Sequence, residues 1–203
     1  MEQGWERPFF GSALILAGGK GTRIGYDKKK LTLNGSSLMT DLIAGLRNIF
    51  DEIIVSSNNE VGDKNVTVLA DEIGTGPLAG IYQGLRRCNS EYLYVIACDM
   101  PFLSPAYIDF IKNKIELGKS YDACVTRNGN FFEPFNALWR KSCIGPIYGA
   151  LEQGNYKILP VLKKLKLCVI REDEAKRFSD NRDPFFNINY GPDLQDAERI
   201  LNT

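Results

Sequence analysis

The feature that most constrains this chain is the run Ala13-Leu14-Ile15-Leu16-Ala17, which breaks abruptly into Gly18-Gly19-Lys20-Gly21-Thr22-Arg23-Ile24-Gly25-Tyr26-Asp27-Lys28. The apolar stretch has the length of a buried strand, and the glycines and cations after it read as a loop. Glycine lets the backbone approach a ligand closely, and successive N–H groups form a concavity that favours anions. With the fixed positive charge of Arg23 and Lys28, the loop reads as a phosphate cradle.

Two common phosphate loops fail on spacing. The dinucleotide fingerprint G-x-G-x-x-G is missed because Gly19 and Gly21 are followed by Gly25, one residue late. The pattern G-x-x-x-x-G-K-[ST] is absent as well.

Beyond the loop, apolar periodicity alternates between two and 3.6 residues. Leu38, Leu42, Ile43, Leu46, Ile49 and Phe50 recur at helical spacing, and residues 52–58 form a strand ending in Ser57 and Asn58. A strand over 66–69 leads to a helix from Pro77 to about Arg87, whose amino end would offer N–H groups to an anion. The apolar run beginning at Tyr92 leaves the core at Asp99, a helix covers 105–117, and Asn128-Gly129-Asn130 turns the chain into an antiparallel return strand. Two further helices (143–151 and 158–165) and a strand over 167–170 follow. The charged stretch 171–183 is expected to be mobile without ligand and to close over substrate. No linker or repeat divides the chain, so residues 1–203 are expected to form one three-layer α/β/α domain, with 1–12 as a lead-in.

In such a sheet, ligands bind beyond the carboxyl ends of the strands, so Ser57, Asn58 and Asp99 would face the same crevice as the glycine loop. A hard cation such as Mg²⁺ needs only one or two protein carboxylates, because phosphate oxygens and water complete its shell; Asp99 could supply one. Asn187 and Asn189 would share a strand face, where their amides could contact a ligand or pair with local backbone.

Composition removes several chemistries. The chain has no histidine, which excludes Ser-His-Asp and Cys-His triads, H-E-x-x-H zinc sites and imidazole acid–base work. Attack by a phosphate on a nucleoside triphosphate satisfies that restriction, because a phosphate monoester with a second pKa near ~6 is largely dianionic at neutral pH and needs no base. Lys plus Arg equal Asp plus Glu at 25 each, so no long-range field favours nucleic acid or a membrane surface, and a small-molecule partner is expected. The five cysteines are odd in number and lack C-x-x-C spacing, which argues against a disulfide framework or zinc site, and the apolar strand that carries Cys98 makes it a buried inert thiol. No run approaches the roughly 18 apolar residues of a membrane span, and the first residues lack the pattern of a signal peptide; a cytoplasmic location is expected.

Four ordered segments carry a family resemblance. The first comprises Leu16-Ala17-Gly18-Gly19, Arg23-Ile24-Gly25, Asp27-Lys28 and Leu31-Thr32-Leu33-Asn34-Gly35. The others are Gly76-Pro77-Leu78-Ala79-Gly80 after Asp71, Cys98-Asp99-Met100-Pro101-Phe102-Leu103, and Asn187-Ile188-Asn189. Together they resemble the molybdenum cofactor guanylyltransferase family of MobA-like nucleotidyltransferases. That resemblance implies a Rossmann-like nucleotidyltransferase fold with a mostly parallel mixed sheet. It implies transfer of GMP from GTP to the terminal phosphate of molybdenum-bound molybdopterin, with release of pyrophosphate.

The resemblance also implies roles. Lys28, Arg23 and Asp99 would be catalytic, with Mg²⁺ on Asp99, and the family's Asp-Lys pair selects Lys28 from the consecutive Lys28, Lys29 and Lys30. Leu16, Ala17, Gly18, Gly19, Lys28, Asn58, Asp71 and Asp99 would bind the nucleotide, and Gly80, Asn187 and Asn189 would make weaker ligand contacts. Asp71 could accept from guanine N1–H and the exocyclic amine, with ribose or metal as other roles. Glu133 stands before Pro134, where the family commonly has another polar residue, often histidine or glutamine, facing the acceptor. GTP and molybdopterin are the implied partners, with transient contact to molybdenum-insertion proteins or molybdoenzymes. The alternatives are a cytidylyltransferase for the same cofactor or another small-molecule phosphate nucleotidyltransferase, and, in a different class, a non-catalytic GTP- or cofactor-binding carrier.

Overall fold

The computed structural model of the chain describes residues 9–17, 31–59, 61–70, 72–118, 120–179, 182–189 and 191–202. Strand β1 (Ser12–Leu16) is buried along its whole length, as an apolar run without polar alternation requires. A small hairpin follows, β2 (Thr32–Leu33) and β3 (Ser36–Ser37), joined at Asn34-Gly35. Helix α1 (Leu38–Arg47) starts where the Ser37 hydroxyl accepts from the Thr40 N–H, and it buries Leu38, Met39, Leu42, Ile43 and Leu46.

The chain then alternates strand and helix. It runs through β4 (Glu52–Ser56), β5 (Thr67–Leu69), α2 (Pro77–Arg87), β6 (Tyr92–Ala97) and α3 (Pro105–Leu117). A two-residue turn joins β7 (Ala123–Asn128) to β8 (Phe131–Arg140); α4 (Ile144–Glu152), α5 (Ile158–Leu162) and β9 (Leu167–Arg171) follow, then a short helix α6 (Glu172–Ala175) and the last helix α7 (Gly191–Leu201).

The described residues form one seven-stranded sheet in the order β5-β4-β1-β6-β8-β7-β9. Only β8 runs against its neighbours: β4 and β6 flank β1 in parallel, β5 is parallel to β4, and β9 is parallel to β7. Side chains alternate across this sheet with the period of two. Ala13, Ile15, Tyr94 and Ile96 enter a core with α1, α3 and α7, while Leu14, Leu16, Leu93 and Val95 enter a second core with α2, α4 and α5. The architecture is therefore the mostly parallel three-layer α/β/α sandwich expected from the alternating pattern.

Two expectations need correction. The stretch 171–183 is helical over Glu172–Ala175 and turns once more over Lys176–Phe178. Ala175 is buried, the Phe178 ring lies 4.7 Å from Phe110, and Lys114 pairs with Glu174 at 3.0 Å. Phe178 on Phe110 and the Lys114–Glu174 pair dock it on α3. The second correction concerns Asn187 to Asn189, which are not a strand: the segment is joined to the end of β6 by the Ile188 N–H donating to the Asp99 carbonyl at 2.9 Å. No helix among the described residues is long and apolar enough to cross a membrane. All five cysteines are buried reduced thiols, Cys98 included.

Candidate active site

The carboxyl ends of four parallel strands form a continuous rim because backbone pairing continues past the strands themselves. The Ala17 N–H donates to the Ser56 carbonyl at 3.0 Å, Cys98 N–H to the Leu16 carbonyl at 3.0 Å, and Ser57 N–H to the Leu69 carbonyl at 2.8 Å. Leu16 and Ala17, the last described residues before the glycine loop, therefore sit between Ser57 on one side and Asp99 on the other. Gly18, Gly19, Arg23 and Lys28 lie outside the described residues, as does Asp71.

On the β4 side, Ser57 and Asn58 separate in role. Ser57 is buried, and its hydroxyl donates to the Asn59 carbonyl at 2.8 Å while accepting the Asn59 N–H at 3.1 Å, so it builds the turn. Asn58 is exposed and lines, with Lys64, Val68 and Ala70, a groove of about 580 Å³ at this corner of the rim. That placement suits a residue that meets a ligand.

Gly80 has a packing role. A Cβ there would come within 2.6 Å of Leu16 Cδ2 and 2.8 Å of Ser56 Oγ. The missing side chain is what lets α2 lie directly on β1 and β4. Its amino end, with Gly76 as N-cap and Pro77 in the first turn, is thereby brought to the rim.

On the β6 side, Asp99 is 7% exposed in the turn after the strand, and its carbonyl holds Ile188. Glu133 reaches the same area from β8. Its carboxyl is pushed up to about 7, chiefly by burial; nearby Asp99 and Asp183 add to the rise and the Phe135 N–H opposes it. Asp99, Glu133 and Asp183 thus concentrate negative charge at one end of the rim. A single carboxylate such as Asp99 suits a divalent cation whose remaining ligands are phosphate oxygens and water. Among the described residues, no group of three acidic or sulfur side chains could enclose a metal alone, so the ligand would have to complete the shell.

Asn136, which sequence reasoning missed, organises this side. It is 1% exposed beside the buried apolar Ala137, Leu138 and Trp139 of β8 and has φ 51°, a left-handed conformation uncommon outside glycine. Around it, pairing advances from Cys124 to Thr126 on β7 but from Leu138 back to Glu133 on β8, so Pro134, Phe135 and Asn136 bulge from the ladder. The Tyr94 hydroxyl donates to Asn136 Oδ1 at 2.5 Å, and Asn136 Nδ2 donates to the Pro184 carbonyl at 3.0 Å. This pins the segment carrying Asp183, Asn187 and Asn189 against β8. A buried amide amid apolar neighbours was the available signal.

Asn187 and Asn189 are on this segment but their amides bond locally. Asn187 Nδ2 donates to the Phe185 carbonyl at 2.9 Å and Asn189 Nδ2 to the Asn187 carbonyl at 3.4 Å. Their side-chain oxygens are the groups left to receive a ligand donor.

The chain matches the model of the MobA-like NTP transferase domain over residues 13–167. It is 39% identical over 198 residues to a Peptoclostridium acidaminophilum protein named "Probable molybdenum cofactor guanylyltransferase", covering 94% of this chain and 90% of that one. It is 37% identical over 193 residues to the molybdenum cofactor guanylyltransferase of Syntrophotalea carbinolica, covering 94% and 91%. Among solved structures, molybdopterin-guanine dinucleotide biosynthesis protein A from Archaeoglobus fulgidus superposes with a TM-score of 0.81 at 28% identity, over 94% of this chain and 98% of that one. A Thermus thermophilus 2-C-methyl-D-erythritol 4-phosphate cytidylyltransferase, at 14% identity and TM-score 0.68, covering 95% and 100%, shares the fold.

Proposed function

Since this chain belongs to the MobA-like NTP transferase family and is a nucleotidyltransferase, we propose that it transfers GMP from GTP to the terminal phosphate of molybdopterin, forming molybdopterin guanine dinucleotide and releasing pyrophosphate. The observation that supports this reading is the rim: Ala17, Asn58 and Asp99 lie just beyond three strand ends joined by backbone pairing, and Asn58 lines a groove at that edge. Similarity to guanylyltransferases over nearly the whole chain supports the choice of nucleotide.

In this reading the acceptor phosphate is its own nucleophile, which accords with a chain that has no histidine. The glycine loop and the amino end of α2 receive the triphosphate, and Lys28 and Arg23 neutralise charge growing at the α-phosphorus and on the leaving pyrophosphate. Asn58 holds the nucleoside and Asp71 accepts from the guanine edge. Asp99 is the protein ligand of Mg²⁺, which when bound would polarise the phosphoryl oxygens. Glu133, Asn187 and Asn189 border the acceptor end. The product would pass to molybdoenzymes or their insertion proteins by transient contact, and the reaction would run in the cytoplasm.

Pyrophosphate release, measured with Mg²⁺, molybdopterin-bearing acceptor and each nucleoside triphosphate in turn, tests the reading. Release with GTP is the expected result. Release with CTP instead would overturn the guanine assignment and keep the chemistry; GTP binding without release under any condition would favour a carrier.

A further inference from the structure

Strands β7 and β9 set two cysteines side by side. They run parallel with Cys124 opposite Cys168, between the pairs Ala123–Leu167 and Val125–Val169. Neighbouring strands lie about 4.8 Å apart, within the ~4.4–6.8 Å over which a disulfide joins two Cα atoms. The period of two puts both side chains on one face of the sheet. Cys124 and Cys168 enter the core that holds Tyr107, Ile111 and Ile170, whereas Ala123 and Val125 enter the opposite one.

This pair differs from Cys88 and Cys143, whose thiols donate to the backbone carbonyls of Leu85 at 3.4 Å and Asp122 at 3.2 Å. The side chains of Cys124 and Cys168 hydrogen-bond to each other. Cys124 is the donor: that bond and burial hold its thiol well above the usual range. Cys168, the acceptor, is held below it by the same bond; burial opposes this, the Lys114 ammonium on α3 assists it and Glu174 opposes it. Access separates the two as well. Cys124 is 1% exposed, while Cys168 is 8% exposed on β9, an edge strand of the sheet, where a compact reagent reaches it first.

We propose that Cys124 and Cys168 form a peroxide-reactive dithiol site, with Cys168 attacking, Cys124 resolving, and an intramolecular disulfide that ties edge strand β9 to β7 as the product. The Cys168 thiolate attacks one peroxide oxygen and the O–O bond breaks. Cys168 becomes a sulfenic acid, and the departing hydroxide takes up the proton that its thiol gave up, forming water. Cys124 Sγ then attacks the Cys168 sulfur; the S–S bond forms, the S–O bond breaks, and the hydroxyl leaves as a second water with the Cys124 proton. The two thiols together lose two electrons, and one peroxide is reduced to two waters. The site uses none of the rim residues, so its chemistry is independent of nucleotide transfer.

The test exposes folded wild type, Cys124→Ala and Cys168→Ala to a small excess of hydrogen peroxide, alkylates the remaining thiols in urea and maps the tryptic peptides. Cleavage after Lys119, Arg127, Lys166 and Arg171 isolates the two cysteines on Ser120–Arg127 and Leu167–Arg171. Wild type should lose two of its five free thiols, show these two peptides joined, and regain both thiols in dithiothreitol. Cys124→Ala should leave Cys168 as a sulfenic acid that dimedone captures. Cys168→Ala should slow oxidation at Cys124 at least about tenfold, because the accessible, lowered thiol is gone. All five thiols intact in wild type, a disulfide through any other cysteine, or a bridge between two chains overturns the proposal. If circular dichroism shows either variant unfolded, the wild-type peptide map decides by itself, since it needs no substitution.

Discussion

In the parallel half of the molecule, Ala17, Asn58 and Asp99 reach the rim simply because their strands end there; in the antiparallel half, Glu133 and Asp183 reach it because Asn136 bends β8 and ties the 182–189 segment to it. The first mechanism is local. An apolar run stops, and the next polar residue is at the surface where ligands bind. The second depends on contacts between residues 42 and 48 positions apart in sequence, with Tyr94 on one side of Asn136 and Pro184 on the other. A site assembled this way has two unequal parts: a rim held by the backbone pairing of four parallel strands, and an acidic wall held by a few side-chain bonds.

The largest expected effect breaks the local half. Asp99→Asn should lower turnover on the order of a thousandfold, by removing the charge that would hold the cation, while leaving Tm near wild type. Pyrophosphate release beside a thermal melt checks both; retained turnover would move the metal to Glu133 or Asp183. The antiparallel half breaks differently. Asn136→Ala leaves the Tyr94 hydroxyl and the Pro184 carbonyl without a partner, and should cost roughly 2–3 kcal/mol in urea unfolding. Acceptor KM should rise more than GTP KM, since only the acidic wall loosens.

Gly80→Ala probes the packing that brings α2 to the rim, and the clash with Leu16 and Ser56 should cost about 1–3 kcal/mol. Here GTP affinity should fall and acceptor affinity should hold, the reverse of Asn136→Ala. The smallest effect is a pH dependence. Glu133 has its folded pKa raised from 4.5 to about 7, so its contribution to stability is fully present below about pH 4.5 and is lost as pH rises through 7. In buffer with a metal chelator, the urea midpoint of wild type should fall relative to Glu133→Gln across that window; parallel curves would show that the acidic wall carries no such strain.

Much of this protein was legible in residue order. The strand into the glycine loop, the Asn34-Gly35 hairpin, Pro77 and Pro105 opening helices and the return through Gly129 all appear where local chemistry put them. So did the rim positions of Asn58 and Asp99, because a strand-terminal polar residue carries its address in its own neighbourhood. Gly80 was legible as a glycine, but the approach of Leu16 and Ser56 that requires one there came only with the structure. The stretch 171–183 looked unstructured because its charges outnumber its apolar residues, and nothing local shows that Ala175 enters the core or that Phe178 meets Phe110 of α3.

What the sequence by itself determined is therefore the alternation of strands and helices, the class of chemistry open to a chain without histidine, and the strand-end positions of the rim residues. Propensity, periodicity and residue inventory act over a few positions, so they can be read without coordinates. The bulge at Asn136 and the approach of Asp99 and Asp183 to Glu133 were decided only by the tertiary structure. Each joins residues from different elements through shape and burial, and close packing fixes such partners only once the whole core has formed.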